Sequence, residues 1–481
     1  MIVAGCGIAG LSAAVSAAER GAAVAVLERA TPEERGGNTR YTEAFLRMKS
    51  EDQVSDDFET HFADNAGGYI DPALVALSAG PYESWPPLLK AMGFLDPEVL
   101  STFAAGVPAA IAWLKQFGVR FDFLPTPHLT RNAPKLMPIG GGLALVEALA
   151  AAAQRLGVRF FYETSARELR RNADGAVNGL RAQSRSDGPV EFSGAGVILA
   201  CGGFEGSPRM LVQYLGPQAL HLRPVARGGY YNKGEGIRMA LDIGAAPCGD
   251  YGNYHAEPID PRSGMTEPSI FIFPYGILVN QLGQRFVDEA PGTVDATYER
   301  ITRCIPFQPN GIAYALLDDK VREIANWRVA IRTDQPPIEA PTLEAMAKLL
   351  GVAPAALAAT VDAYNRACPS GRFAPLQLDG LATSGIAPAK SNWARAIDTP
   401  PFIAYPMIAG NVFTFGGLKI NAGAEVLDED GWPIAGLYAG GEVIGMYYKA
   451  YTGATSVLRG AVFGRIAGAA AAARAQREKG T

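Results

Sequence analysis

Apolar residues open the chain in a short unbroken run, Met1-Ile2-Val3-Ala4, and return in a second run, Ala23-Val24-Ala25-Val26-Leu27, which stops at Glu28. The small-residue stretch between them, to about Arg20, predicts a helix, so the segment reads as strand–helix–strand. Helical periodicity continues from about Asp71 to Phe117, broken by turn residues. An Ala-rich helix follows Gly140-Gly141-Gly142 and runs to Arg155, and strands follow at Val158–Phe161 and Gly196–Ala200. From about Asp250 to Pro400 the pattern changes: proline is frequent, and short amphipathic helices appear at Leu343–Leu350 and Ala355–Arg366. A buried strand leading into Gly440-Gly441, and then a helix from about Ser456 to Ala473, restore the first pattern. The expected architecture is α/β. Residues 1–249 and 401–481 form one nucleotide-binding domain, and residues 250–400 form an inserted α+β capping domain.

The turn between the first strand and helix reads Gly5-Cys6-Gly7-Ile8-Ala9-Gly10. Gly5 permits the tight turn, Gly7 lets a pyrophosphate approach the backbone, and Gly10 lets the helix sit close to the sheet, the pattern of a Rossmann-like dinucleotide site. The helix N-terminus, with Ile8 and Ala9, presents free N–H groups to the phosphates. Glu28, at the end of the next strand, is placed to accept from a ribose hydroxyl, with Arg29 beside it. This motif does not by itself separate NAD from FAD. Gly36-Gly37-Asn38-Thr39-Arg40 suits contacts to phosphate or ribityl oxygens, or is an ordinary loop.

Charge and cysteine content narrow the function classes. The formal net charge of −5 argues against nucleic acid or an anionic membrane as the main partner. The five cysteines, Cys6, Cys201, Cys248, Cys304 and Cys368, form neither a C-x-x-C pair nor a metal-ligand spacing. No disulfide framework or metal site is expected, and a reducing, cytoplasmic setting is. We expect no secretory leader and no membrane span.

The order of several stretches resembles the flavoprotein family of fumarate reductase, succinate dehydrogenase and L-aspartate oxidase. They are the Gly5–Gly10 turn with Glu28, Gly36-Gly37-Asn38, Leu199-Ala200-Cys201-Gly202-Gly203-Phe204, Ile277-Leu278-Val279-Asn280, Arg285-Phe286-Val287-Asp288-Glu289, Gly416-Gly417, Leu437-Tyr438-Ala439-Gly440-Gly441-Glu442 and Phe463-Gly464-Arg465. Nearly the whole chain is covered, and the tricarballylate dehydrogenase and 3-ketosteroid dehydrogenase branches look most similar. The resemblance implies FAD, with a cap closing over its ring system. It implies FAD contacts at Gly5, Gly7, Ile8, Ala9, Gly10, Glu28, Arg29, Gly37, Asn38, Thr39, Ala200, Gly202, Gly203, Glu442, Ser456 and Val457. No His stands in Asn38–Thr42, where a covalently flavinylated relative carries one, so FAD is expected to bind non-covalently.

The departures from the family pattern concern the substrate. An Arg is expected shortly after Asp288-Glu289, but the chain continues Ala290-Pro291-Gly292-Thr293-Val294-Asp295. Phe413-Thr414-Phe415 replaces a His-containing stretch, and the last substrate-binding Arg gives way to Tyr447-Tyr448-Lys449-Ala450-Tyr451. His255 retains a family substrate-binding position. The expected reaction is hydride transfer between flavin N5 and a C–C bond beside a carbonyl or carboxylate, with an unidentified electron donor or acceptor. Two alternatives are a tricarballylate-type polyacid dehydrogenase and a non-catalytic flavin-binding protein.

The acid/base candidates are Tyr451 first, then Tyr448 and His255. The tyrosines are alternatively packing groups, and His255 a structural histidine. Lys449 would depress a tyrosine pKa or bind a carboxylate, or is a solvated lysine. Tyr275 would line the substrate pocket, or is core. Arg300 and Arg303 would reach a substrate acid group, or are solvated. His61, His128 and His221 are expected on the surface or on helices.

Overall fold

The computed structural model describes residues 1–66, 76–92, 94, 96–131 and 135–480. Residues 71–75, 93 and 95 of the expected helical stretch lie outside them. The central sheet has six strands in the order Glu425–Leu427, Pro433–Ala439, Val197–Leu199, Ile2–Ala4, Ala25–Leu27 and Arg159–Phe161. All neighbours are parallel except the first pair. Val3 lies in register with Ile198 on one side and Val26 on the other, so the opening run is buried on both faces. That explains its unbroken apolar pattern.

The helix Ile8–Ala18 packs against the C-terminal helix Ser456–Gly480. The contact is close because glycine faces backbone: a Cβ on Gly464 would fall 2.3 Å from the Ala9 carbonyl oxygen. A three-stranded antiparallel sheet, Thr164–Arg171, Val177–Ser184 and Gly188–Ser193, flanks the cleft.

The cap is organised on the long strand Phe402–Thr414. It pairs with Arg223–Pro224, Tyr254–Ile259, Ala313–Leu317 and Ile338–Ala340. This strand begins against the cap core and ends at Phe413 and Thr414, beside the Gly5–Gly10 turn's cleft. Its far end therefore carries side chains from the cap directly to the site. The cap has its own apolar clusters, around Phe271, Phe273, Leu278 and Met407, and around Met346, Leu357 and Tyr364.

One helix among the described residues, Pro97–Gln116, is long and apolar enough, by length and composition alone, to cross a membrane. Its Val99, Phe103, Val107, Ile111 and Leu114 are buried in the main core, so its hydropathy has a packing explanation.

Candidate functional site

A cleft with about 1290 Å³ of space, its open mouth included, is lined by Glu28, the Gly5–Gly7 turn, Ser456, Phe413 and Glu267. Its floor is backbone. Gly5 has φ +109°, and a Cβ there would lie 2.2 Å from the Ala200 carbonyl oxygen. Gly7 differs, since its Cβ would meet the Gly36 carbonyl oxygen and Thr39 Oγ at 3.4 Å each, an ordinary contact distance. Ile8 N–H donates to Thr39 Oγ (3.1 Å), tying the 36–40 loop to the helix N-terminus. Glu28 accepts from Cys6 N–H (3.0 Å) and Ala30 N–H (2.8 Å), while burial pushes its carboxyl pKa up.

All the residues expected to hold the cofactor line this cleft except Gly10 and Gly203. Those two are corrections. A Cβ on Gly10 would fall 1.9 Å from the Gly5 carbonyl oxygen, and one on Gly203 would fall 2.2 Å from Glu442 Oε1. They make room for neighbouring protein atoms and do not face the cleft.

Behind the cleft lies a polar network that sequence reasoning missed. Asn38 and Asn232 each donate to Glu205 Oε1 at 2.6 Å, and Thr414 N–H donates to Glu442 at 2.9 Å. Burial first, and the neighbouring Glu442 second, push the Glu205 carboxyl well above its ordinary range. Buried Arg459 also lines the cleft, its guanidinium 4.7 Å from the Tyr447 ring. No motif marked Glu205 or Arg459. A cleft lined by glycine backbone, a helix N-terminus, a strand-end carboxylate and a buried guanidinium fits a dinucleotide carrying a pyrophosphate.

The cap closes the other side. His255 is 6% exposed, and its Nε2 lies 3.2 Å from the Tyr298 hydroxyl. Its ring lies 4.4 Å from that of Tyr451 and 5.3 Å from that of Phe413, which lines the cleft. The Tyr451 hydroxyl accepts from Thr455 N–H and Ser456 N–H, both at 3.0 Å, and donates to Ser456 Oγ at 3.0 Å. It therefore caps the C-terminal helix.

Three other expectations are corrected by position. Tyr448 is buried away from the cleft with its hydroxyl 3.2 Å from Cys248 Sγ, and burial pushes its pKa well up. Tyr275 donates to the Pro375 carbonyl at 2.5 Å and packs on Trp393 within the cap. Lys449 points to solvent; its backbone carbonyl, not its ammonium, is engaged, accepting from Arg303 at 3.1 Å. Arg303 otherwise pairs with Glu299, and Arg300 is exposed.

His128, expected at the surface, packs edge-on to Phe271 (4.7 Å) and stacks near Tyr298 (5.9 Å). Burial lowers its pKa to about 4. The sequence does not reveal the meeting of Tyr298 and His128, because the one sits on a cap helix, Val294–Thr302, and the other in a remote loop.

The family profile described as "FAD binding domain" matches residues 1–458. The chain is similar to the vinyl phenol reductase of Lactiplantibacillus plantarum, 26% identical over 472 residues, covering 92% of this chain and 89% of that protein. It is 27% identical over 500 residues to the NADH:fumarate oxidoreductase of Klebsiella pneumoniae, covering 99% of this chain but about half, 48%, of that protein. Among solved structures it is similar to the 3-ketosteroid-Δ4-(5α)-dehydrogenase of Rhodococcus jostii RHA1. That match has a TM-score of 0.67 and 26% identity, and covers 98% of this chain and 96% of the other.

Proposed function

The chain belongs to the FAD binding domain family, and from that premise we propose that it transfers hydride to or from a C–C bond conjugated to a carbonyl or carboxylate in a flat, largely aromatic substrate. It is an FAD-dependent oxidoreductase acting on CH–CH groups. FAD, when bound, supplies the hydride acceptor or donor. The glycine turn and the helix N-terminus hold its phosphates, and Glu28 holds its ribose. No His or Cys in the 36–42 loop supports non-covalent attachment.

The observation that carries the reading is the His255–Tyr298 pair. It sits beside Phe413, and no arginine stands at Val294. The reaction needs a proton given to, or taken from, the carbon next to the activating group. A hydrogen-bonded imidazole–phenol pair supplies that group. Tyr451 holds His255 in place through ring contact while its hydroxyl caps the helix. Phe413, Phe271 and the His128 ring form an aromatic wall around the pair. Against the polyacid alternative, Lys449 and Arg300 are exposed and Arg303 is engaged by Glu299. The five cysteines are all free, which supports a reducing cytoplasmic compartment. An external electron donor or acceptor completes the cycle.

The test is anaerobic. The flavin is photoreduced and then mixed with aryl enones, aryl enoates and fumarate. Reoxidation by the aryl compounds at rates well above fumarate is the expected result. A flavin that none of them reoxidises would move the protein to the non-catalytic alternative.

A further inference from the structure

Arg459 is 1% exposed and lines the cleft from the first turn of the helix Ser456–Gly480. Its one hydrogen bond runs from Nη1 to the Ile444 carbonyl oxygen, at 3.1 Å. Its Nε is buried with no partner, and among the described residues no carboxylate forms an ion pair with it. The guanidinium lies instead over two aromatic rings, Tyr447 at 4.7 Å and Phe413 at 5.6 Å. The other arginine lining the cleft, Arg29, is paired with Glu235.

A buried guanidinium without a counter-charge is costly, because burial strips its hydration and aromatic faces return only part of that loss. The carboxyl that feels this charge is Glu442, on the turn Gly441–Val443. Its oxygens are occupied elsewhere. Oε1 accepts from Thr414 N–H at 2.9 Å and from Thr414 Oγ at 3.2 Å, and Oε2 accepts from Asn232 at 3.4 Å. The titratable groups facing the guanidinium are Glu442 and Tyr447, with Glu205 behind Glu442. Burial pushes all three upward, so the protein offers Arg459 little negative charge near neutral pH.

A second positive feature meets the same stretch of cleft. Ser456 and Val457 line it, and they open the helix that carries Arg459, so the positive end of the helix dipole lies beside the guanidinium. FAD belongs in this cleft. Its pyrophosphate has the glycine turn, whereas its ring system gains negative charge only when electrons enter.

We propose that Arg459, with the N-terminus of its helix, is the counter-charge for the reduced flavin ring. Two electrons and one proton enter, as hydride from a substrate or from the external donor, and the proton stays on N5. Arg459 holds the remaining negative charge on N1 and the C2 oxygen, so a second proton is not taken up at N1. Its charge is in place before the hydride arrives and costs no reorganisation at that moment. It also raises the potential at which the cofactor accepts electrons. The inference rests on FAD occupying the cleft and on no choice of substrate.

The experiment uses FAD-loaded protein without substrate. The midpoint potential is measured by equilibration with reference dyes during slow reduction by dithionite. The pH range is one in which free FAD, measured alongside, takes up two protons per two electrons. The bound flavin should take up one, so its potential should fall by about 30 mV per pH unit where that of free FAD falls by about 60 mV. Arg459→Gln should make reduction at least about tenfold less favourable, a drop of about 30 mV or more, and should restore the second proton. Arg459→Lys keeps the charge and should stay within about threefold of the wild type. The flavin absorbance ratio reports that each holoprotein is intact. A wild-type potential in Arg459→Gln, with oxidised and reduced FAD held equally more weakly, would put Arg459 on the pyrophosphate. A wild-type potential with weakened binding of 3-phenylpropionate would put it on a substrate acid group. Either result overturns the proposal, and so does a two-proton slope in the wild type, which decides the matter even if a variant does not load FAD. Failure of unsaturated compounds to reoxidise the flavin counts against the hydride-transfer reading and leaves the potentials standing.

Discussion

The two walls of the cleft are built on different principles. The cofactor wall is mostly backbone: Gly5, Gly7 and Gly202 line it, and Glu28 is fixed by two main-chain N–H groups. The cap wall is side chain: Phe413 and Glu267 line it, with His255, Tyr298 and Arg332 packed behind them from separate strands, loops and a helix. Backbone sites tolerate few alternatives, because a Cβ collides wherever main chain meets main chain. Side-chain sites can be rebuilt one substitution at a time without disturbing the fold. That asymmetry explains how a chain keeps the flavin machinery while exchanging arginines for aromatics and carboxylates.

The sharpest way to break the comparison is Gly7→Val. Its Cβ would meet nothing closer than 3.4 Å, so the protein should fold. The branched side chain would still project into the space left for pyrophosphate. Flavin content, read as the absorbance ratio of the purified protein, should fall to near zero. A folded variant with full flavin would mean that the cofactor lies elsewhere.

On the cap wall the fold should survive and the chemistry should not. His255→Gln and Tyr298→Phe should each retain FAD and slow substrate-dependent flavin reoxidation by roughly 10²-fold or more. Stopped-flow rates of the anaerobic reaction check this, and rates within a factor of a few of wild type would remove the pair from the proton path. Tyr451→Phe should have a smaller effect, about tenfold on the rate, because its hydroxyl is committed to Thr455 and Ser456. It should also lower thermal stability, since removing the acceptor leaves two helix N–H groups unmet at a cost of about 1–3 kcal/mol each where buried. A loss of 10²-fold or more without destabilisation would restore Tyr451 as the acid/base itself.

Legibility followed the same division. The Gly5–Gly10 turn, the strand ending at Glu28 and the Ser456 helix could be read because steric rules tie residue type to local conformation. Gly10 and Gly203 were recognised as required, but for a different contact, since sequence does not say which neighbour needs the missing Cβ. His255 was reachable through its strand position. Tyr298, His128, Glu43 and Arg332 were not, because their meeting depends on how the cap docks over the 36–47 and 127–136 loops. Tyr448 and Tyr275 looked alike as pocket tyrosines. Only their hydroxyl partners, Cys248 and Pro375, reveal that both are turned into packing.

The smallest predicted effect lies where the two walls join. Glu205 accepts from Asn38 of the cofactor loop and from Asn232, next to the Glu442 carboxyl. Its folded pKa is raised by burial and by Glu442. A carboxyl raised in this way favours the folded state while protonated, and that contribution is lost as pH climbs through the folded pKa. Glu205→Gln keeps the acceptor oxygen and stays neutral at every pH. The variant and the wild type should therefore melt within a degree or two of each other near about pH 5, with the variant gaining a few degrees by about pH 9. Flavin content should be unchanged, because both asparagines keep their partner. A gap that is constant with pH, or that favours the wild type at high pH, would show that Glu205 is ionised in the folded protein and that Asn38 and Asn232 are oriented by its charge.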